Sequence, residues 1–435
     1  MKLELGSFPV TRAQFDQNTR YNNGTLDINK EELLGLMKQD TRIAEAELDI
    51  VSPGEQTRIV NVRDVVEPRM KISGPGCVFP GILGPVQTVG GGRTHSLTGV
   101  TVVISARYDP VIQSGTSSPS SGIIDMWGPG AQLTPFASTI NVVPVIKLIN
   151  GVSELEAHAT IQMAAFKVAK RLAETVKDSI ADDVEVFELF QVDSSLPRIV
   201  YIGCYPTWWH DPHAGFGFYG LLVRETLPFL IHPNELFDGV VTHDARRGNG
   251  WQYTTWQWMK NPVVHQLLRE HGKRLNFLGV ILQRIRFEAE LGKEVSAACT
   301  SQMTKMLGAN GAIFTGKGGS GSNFEDVMLT VQACEKQGIK TVLIHTEWGT
   351  EDGTELPFPF YVPEATAIVS TGSHDREIRL QAPSKVIGIE GDEGIAPHAG
   401  DKPLSPWGEI VWNYHANING GLDHLGGGNM TCREY

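Results

Sequence analysis

The sequence predicts an α/β fold, with a strand-rich N-terminal domain over residues 1–150 and a three-layer α/β domain with a mainly parallel sheet over residues 151–435. Three observations carry that expectation. Short β-branched runs divided by Gly and Pro fill the first 150 residues. At Ser153 the apolar spacing changes to three and four, the period of a helix. Beyond it, apolar strand-like runs alternate with helical stretches, the order that layers helices against a parallel sheet.

In the N-terminal part, residues 57–62, 86–89 and 100–104 read as strands from their alternation and their Val, Ile and Thr content. Turn signals stand at Gly74-Pro75-Gly76, Pro80-Gly81, Gly90-Gly91-Gly92 and Gly128-Pro129-Gly130. Residues 114–121 are small and polar and read as a mobile loop. Ser153 and Glu156 have the form of a capping box. They open a helix that runs to about Lys177, with a stripe of Leu155, Ala159, Met163, Phe166, Ala169, Leu172 and Val176. Further strands are expected at 184–190, 198–204, 275–282, 312–315, 340–345 and 367–370, and helices at 261–271, 288–307 and 323–337. Ligands of such sheets gather at the carboxyl ends of the strands, so chemistry is sought just after each one.

Composition narrows the class. The 435 residues are 41% hydrophobic, enough for packed cores, and the length suits two or three domains. Lys and Arg number 37 against 49 Asp and Glu, a net charge of −12 with no basic run, which argues against nucleic-acid binding. No apolar run approaches the roughly 18 to 20 residues of a membrane helix. No apolar h-region follows Met1, so a secretory signal is not expected. The five cysteines, Cys77, Cys204, Cys299, Cys334 and Cys432, are too scattered for a disulfide framework or a zinc knuckle. A cytoplasmic protein is the expectation.

Three constellations have chemistry to offer. After the strand ending at Cys204 come Trp208, Trp209, His210, Asp211 and His213. Two histidines and an aspartate this close suit a divalent metal or proton transfer, while the plainer reading is a helix cap and a surface turn. A second cluster joins Thr242, His243, Asp244, Arg246 and Arg247 to Trp251, Trp256 and Trp258. Such tryptophans form either an aromatic pocket for a substituted ammonium, with Arg246 or Arg247 for a carboxylate, or a core or subunit interface. The third runs from Gly316 through Gly321 and Asn323 to Glu325. It has the form of an anion-cradling loop without the Walker or dinucleotide frame, and a carboxylate contact suits it better than a nucleotide. Ser322 and Glu325 would cap the helix that follows. Cys204, at a strand end beside His210, is the cysteine best placed to be a reactive thiolate, and Cys334 reads as core. His345 and Glu347 either join the same site or form a surface pair.

Several segments together resemble one family. They are Leu3-Glu4-Leu5-Gly6, Val65-Val66-Glu67-Pro68-Arg69, Ser73-Gly74-Pro75-Gly76, Phe79-Pro80-Gly81 and Ile124-Asp125-Met126-Trp127-Gly128-Pro129-Gly130. The His210-Asp211 step, Asn261-Pro262-Val263, His271-Gly272-Lys273, the stretch from Gly321 to Asp326 and Leu425-Gly426-Gly427-Gly428-Asn429-Met430-Thr431 continue the match. From end to end the chain resembles the component B subunits of glycine, sarcosine and betaine reductases, with D-proline reductase as a more distant relative. That resemblance implies a proprotein cleaved at an internal cysteine soon after the segment matching Asp238-Gly239. The cysteine becomes a pyruvoyl group that holds the substrate amine as an imine. A partner subunit then supplies a selenolate or thiolate to break the C–N bond.

The chain departs from this plan at the decisive place. No cysteine lies between Cys204 and Cys299, and Gly248-Asn249-Gly250 occupies the matching stretch. The expectation is therefore an uncleaved, pyruvoyl-free reductase subunit. It would bind a small nitrogen compound, N-methylated or carboxylated, and work in a heteromeric, oligomeric complex with a subunit carrying a reactive Cys or selenocysteine. His210, Asp211, His243, Arg246 and Cys204 are the catalytic candidates. Trp208, Trp209, Trp251, Trp256, Arg247, Gly321 and Asn323 are the substrate-binding candidates, and His210, His213 and His243 are the candidate ligands of a divalent metal. The competing readings are a metal-dependent enzyme acting alone on a C–N, C–S or C–halogen bond, and a non-catalytic scaffold subunit.

Overall fold

The computed structural model describes residues 1–107, 122–192, 195–207, 215–244, 253–316, 321–347, 358–373, 377–388, 394–395, 404–412, 418–421 and 425. The expected loop at 114–121 lies outside them. The α/β class is as predicted. Two mixed four-stranded sheets form the N-terminal part. In one, Lys2–Pro9 lies between Asp183–Glu188 and Gly92–Thr98, with Arg69–Ser73 outermost. In the other the order is Ile43–Val51, Ile140–Leu148, Val100–Arg107, Val62–Val66.

Local chemistry explains several boundaries. The strand expected at 57–62 is two strands, Thr57–Ile59 and Val62–Val66. Asn61 between them has φ 52°, a left-handed turn that Asn tolerates better than most residues. Residues 86–89 are not a strand. The helix Glu154–Ala173 starts with the full capping box, Ser153 and Glu156 each bonding the other's backbone N–H. Its core face is Ala157, Ile161, Ala164, Ala165, Val168 and Leu172, all buried. Of the apolar stripe expected from the sequence, Leu155 and Ala159 are exposed and Met163 is half-buried.

The second part is built on a six-stranded sheet. Its order is Phe229–Ile231, Asn276–Ile285, Arg198–Pro206, Gly311–Thr315, Lys340–Glu347, Ile368–Ser373, parallel except for the first strand. The helices Glu290–Met306 and Gly321–Lys336 cover one face, where Val200, Ile202, Cys204, Ile281 and Ile285 enter an apolar cluster with Phe324 and Val331. The other face carries Tyr201, Tyr205, Val280 and Leu282 into a cluster with Phe216, Trp258 and Val264 of the helix Pro262–Glu270. The segment expected at 184–190 is a strand, Asp183–Glu188, but it pairs antiparallel with Lys2–Pro9 in the N-terminal sheet.

The chain also returns to its beginning. Lys385–Ile387 pairs in parallel with Thr57–Ile59. Arg58, wholly buried, meets Asp125 through Nε at 2.7 Å and Nη2 at 2.9 Å, and donates to the carbonyls of Gln381, Pro406 and Gly408. Among the described residues, no helix is long and apolar enough to cross a membrane.

Candidate active site

A small antiparallel sheet delivers the key side chains. Gly215–Phe218 pairs with Val241–Asp244 on one side and Leu221–Leu222 on the other. Gly215 has φ 72°, and a Cβ there would fall 2.3 Å from the His243 ring, so the turn into this strand requires glycine. Asp244 ends its strand in a buried position. Arg63, from Val62–Val66, donates to both its oxygens at 2.6 Å, and His158 Nδ1 contacts Oδ2. Burial opposes ionisation of Asp244. The charges and hydrogen bonds of Arg63 and His158 outweigh it and hold the carboxyl well below the usual range.

Asp64, the next residue along from Arg63, behaves oppositely. Burial pushes its carboxyl well above the usual range, against the hydrogen bonds it accepts from Thr255 N at 2.8 Å and Oγ1 at 2.5 Å, and the charge of Asp244 adds to the rise. Thr255 Oγ1 also accepts the His243 N–H at 2.9 Å, so this residue ties the two strands together.

His158 lines a cleft of about 410 Å³ with Gln162, Met163, Leu222, Arg224 and Thr242 among its other walls. Leu155 and Ala159 line it too, which is why the apolar helix stripe is partly exposed. The His158 ring is 4% exposed; its Nδ1 is committed to Asp244, and its Nε2 has no hydrogen-bond partner. A cleft with mixed apolar and polar walls, one of them a buried imidazole oriented by a carboxylate, has the form of a small-ligand site.

The motifs of the sequence resemblance support this site from behind. Buried Glu67 accepts from Ser96 Oγ at 2.5 Å and pairs with Arg69 at 2.8 Å and Lys260 Nζ at 2.5 Å. Burial works against its charge, yet Lys260 and Arg69 hold it down to about 2. Arg69 donates to the Phe237 carbonyl at 2.6 Å. Asp238 accepts from Thr94 Oγ1 at 2.6 Å and Gly90 N at 2.7 Å, and pairs with Lys71. Gly239 has φ 74°, and a Cβ there would lie 2.5 Å from the Phe79 ring. These contacts fix the turn that leads into Val241–Asp244.

The residues singled out from sequence are placed unevenly. Trp208, Trp209, His210, Asp211, His213, Arg246, Arg247 and Trp251 lie outside the described residues. His243 is buried next to Asp244. Among the described residues, no group of three His, Cys, Asp or Glu side chains is arranged to hold a metal ion. Cys204 is fully buried on the helix-covered face, where burial pushes its thiol far up, so it sits as a neutral core residue and not as a thiolate. Trp256 packs edge-on against Phe136 at 5.3 Å, and Lys260 lies 5.5 Å from its ring, so its face already meets a cation of the protein. The aromatic cluster is packed upon itself: Tyr205 stacks on Phe216 at 3.7 Å, and Trp258 meets Phe216 and Tyr253 edge-on.

Gly321 is exposed at the start of its helix and Asn323 is buried with Oδ1 unbonded, both at the carboxyl edge of the parallel sheet. Ser322 stands inside that helix and does not cap it; Lys293 bonds its Oγ at 2.8 Å and pairs with Glu325 at 3.1 Å. His345 is buried edge-on to Phe324. His158 and Arg63 escaped the sequence reading. The one signal for His158 was its place among Leu155, Ala159 and Gln162 on a single helix flank.

The segment 245–252, which follows Asp244, reads Ala, Arg, Arg, Gly, Asn, Gly, Trp, Gln. None has the hydroxyl or thiol that must attack the preceding carbonyl to form a pyruvoyl group, so the residues present do not fit that group.

The fold is mixed α/β, and its cleft is lined by one imidazole that a buried carboxylate orients. Residues 1–432 match the family described as glycine/sarcosine/betaine reductase component B subunits, and the chain belongs to that family. It is 33% identical over 445 residues, covering both chains in full, to the glycine reductase complex component B subunits alpha and beta of Acetoanaerobium sticklandii. It is 33% identical to the sarcosine reductase complex component B subunit alpha of Peptoclostridium acidaminophilum, over 89% of this chain and 90% of that one. The betaine reductase complex component B subunit alpha of the same organism is also 33% identical, over 89% and 88%. No solved structure matches the chain significantly.

Proposed function

We propose that this chain is an uncleaved, pyruvoyl-free subunit of a reductase complex of the glycine, sarcosine and betaine type, and that it binds a small nitrogen-containing substrate in the cleft beside His158. The observation that carries this is the buried series Arg63–Asp244–His158, which ends at the partnerless Nε2 of a residue that lines the cleft. With Nδ1–H committed to Asp244, only Nε2 exchanges a proton with a bound ligand. In the proposed reaction a thiolate or selenolate of a partner subunit attacks the carbon of the C–N bond. A carbon–sulfur or carbon–selenium bond forms and the nitrogen leaves with the electron pair of the broken bond; an uncharged primary or secondary amine takes a proton from His158 Nε2 as it leaves, whereas a quaternary nitrogen departs as a neutral amine and needs none. The family's names as reductase complex components support the partner subunit, and the missing nucleophile in 245–252 supports the uncleaved chain.

The test joins two measurements. The intact mass of the purified chain is expected as a single full-length species. Two fragments, one with an α-keto terminus, would overturn the pyruvoyl-free reading. Thiol-dependent release of amine from glycine and sarcosine, assayed with the host's partner subunits, is expected to fall at least a hundredfold in His158→Gln, the usual scale for a lost general acid, while release from betaine, whose nitrogen leaves without a proton, changes far less. Full retention would remove His158 from the reaction.

A further inference from the structure

At the carboxyl edge of the parallel sheet, Arg284 is 0% exposed. Its Nε donates to Thr207 Oγ1 at 2.6 Å, and its Nη2 reaches the carbonyls of Thr207 at 3.4 Å and Arg286 at 3.3 Å. These acceptors are neutral; the carboxylate paired with it, Glu288, stands 3.7 Å away on a side chain that is 41% exposed. Its Nη1 has no partner. A guanidinium this deep with a donor left unused is a costly arrangement unless an anion completes it.

The neighbouring strand repeats the signal. Tyr205 stands directly opposite Arg284 in the parallel pairing, so the two side chains project from the same face of the sheet. The Tyr205 hydroxyl is also buried and without a partner. Burial holds that phenol un-ionised, and the Arg284 charge acts on it in the opposite sense. The ring itself lies against Phe216, with Trp258 beyond.

We propose that Arg284 and Tyr205 form a carboxylate-binding subsite, the Nη1–H and the phenol O–H each donating to the carboxylate of a small ligand. One buried positive charge and two donors match a singly charged, planar carboxylate better than a doubly charged phosphate. Thr207 joins this subsite to the cleft, since its Oγ1 accepts from Arg284 and donates to the carbonyl of Arg224, a cleft residue, at 2.5 Å. The subsite deepens the function proposed above and rests on it for the ligand's reaction, but carboxylate binding can be measured without turnover.

The experiment titrates the full chain with sodium acetate against sodium chloride at matched ionic strength, by calorimetry and thermal unfolding. Saturable acetate binding is expected in the parent. It weakens tenfold or more in Arg284→Gln and several-fold in Tyr205→Phe, and stays as in the parent in His158→Gln. Tyr205→Phe deletes a hydroxyl that bonds to nothing, so without acetate it is expected to be at least as stable as the parent. Acetate acting no differently from chloride overturns the subsite, as does Tyr205→Phe binding acetate as tightly as the parent. The second criterion holds even where Arg284→Gln fails to fold. Acetate binding that follows Arg284 and Tyr205 while His158→Gln keeps full turnover would uphold the subsite and sink only the proton donor.

Discussion

Asp64 and Asp244 share one buried corner, yet their surroundings drive them apart: Arg63 and His158 favour the charged form of Asp244, while burial pushes Asp64 toward its neutral form. Asp244→Asn removes the charge that Arg63 faces and leaves a buried guanidinium uncompensated. The expected loss is about 3 to 5 kcal/mol of unfolding free energy in a denaturant titration, the scale of a broken buried ion pair. Turnover should fall along with it, because the amide no longer fixes His158. The pH dependence follows from the direction of each shift. Glu67, held down to about 2 in the fold, contributes stability that is complete above the ordinary carboxylate range and is lost as pH falls toward 2. Unfolding measured from pH 7 down to 2 should therefore show a flatter acid limb in Glu67→Gln. Asp64 has the opposite sign. Its contribution is complete at low pH and is lost as pH rises from the ordinary carboxylate value toward its raised one, so Asp64→Asn should be the variant that gains relative stability as pH rises.

The helix Glu154–Ala173 does two jobs with two flanks. Ile161 is buried in the N-terminal core, whereas Met163 lines the cleft and is half-buried. Ile161→Ala should lower stability by about 2 to 5 kcal/mol, the range for a deleted core side chain. Met163→Ala should leave the denaturation midpoint nearly unchanged and shift KM for the cleft's ligand. Equal destabilisation by both would mean that the cleft is closed in solution. This helix also shows what a sequence discloses. Its start was readable because a capping box is local, and its existence because the apolar spacing is regular. Which flank faces the core was not readable, since Leu155, Ala159 and Met163 are apolar whether they meet a core or a ligand. The strand Asp183–Glu188 was legible as a strand but not as a partner of Lys2–Pro9, because pairing over such a distance leaves no trace in local composition.

At the scale of the whole chain, the parallel sheet and its helices were legible from alternation alone, and so was the family through motifs spread from Leu3 to Thr431. The constellation proposed here as catalytic was not. Arg63, His158 and Asp244 come from a strand, a helix and a second strand far apart in sequence, and only the folded chain brings them together. The same holds for Arg58, whose bonds to Asp125 and to the carbonyls of Gln381, Pro406 and Gly408 join early and late residues. Arg58→Met should cost about 3 to 5 kcal/mol. It should also speed amide exchange in Ile378–Leu380, Lys385–Ile387 and Ile410–Trp412 while the six-stranded sheet keeps its protection; uniform loosening of both would show that they unfold as one unit. That late clasp has a consequence for biosynthesis. Thr57–Ile59 emerges early from the ribosome, but Lys385–Ile387 follows only after some tens of seconds at ordinary elongation rates of about 5 to 20 residues per second. Until then the early strand keeps an open edge, so the nascent protein has a long interval in which a chaperone guarding that edge decides between assembly and aggregation.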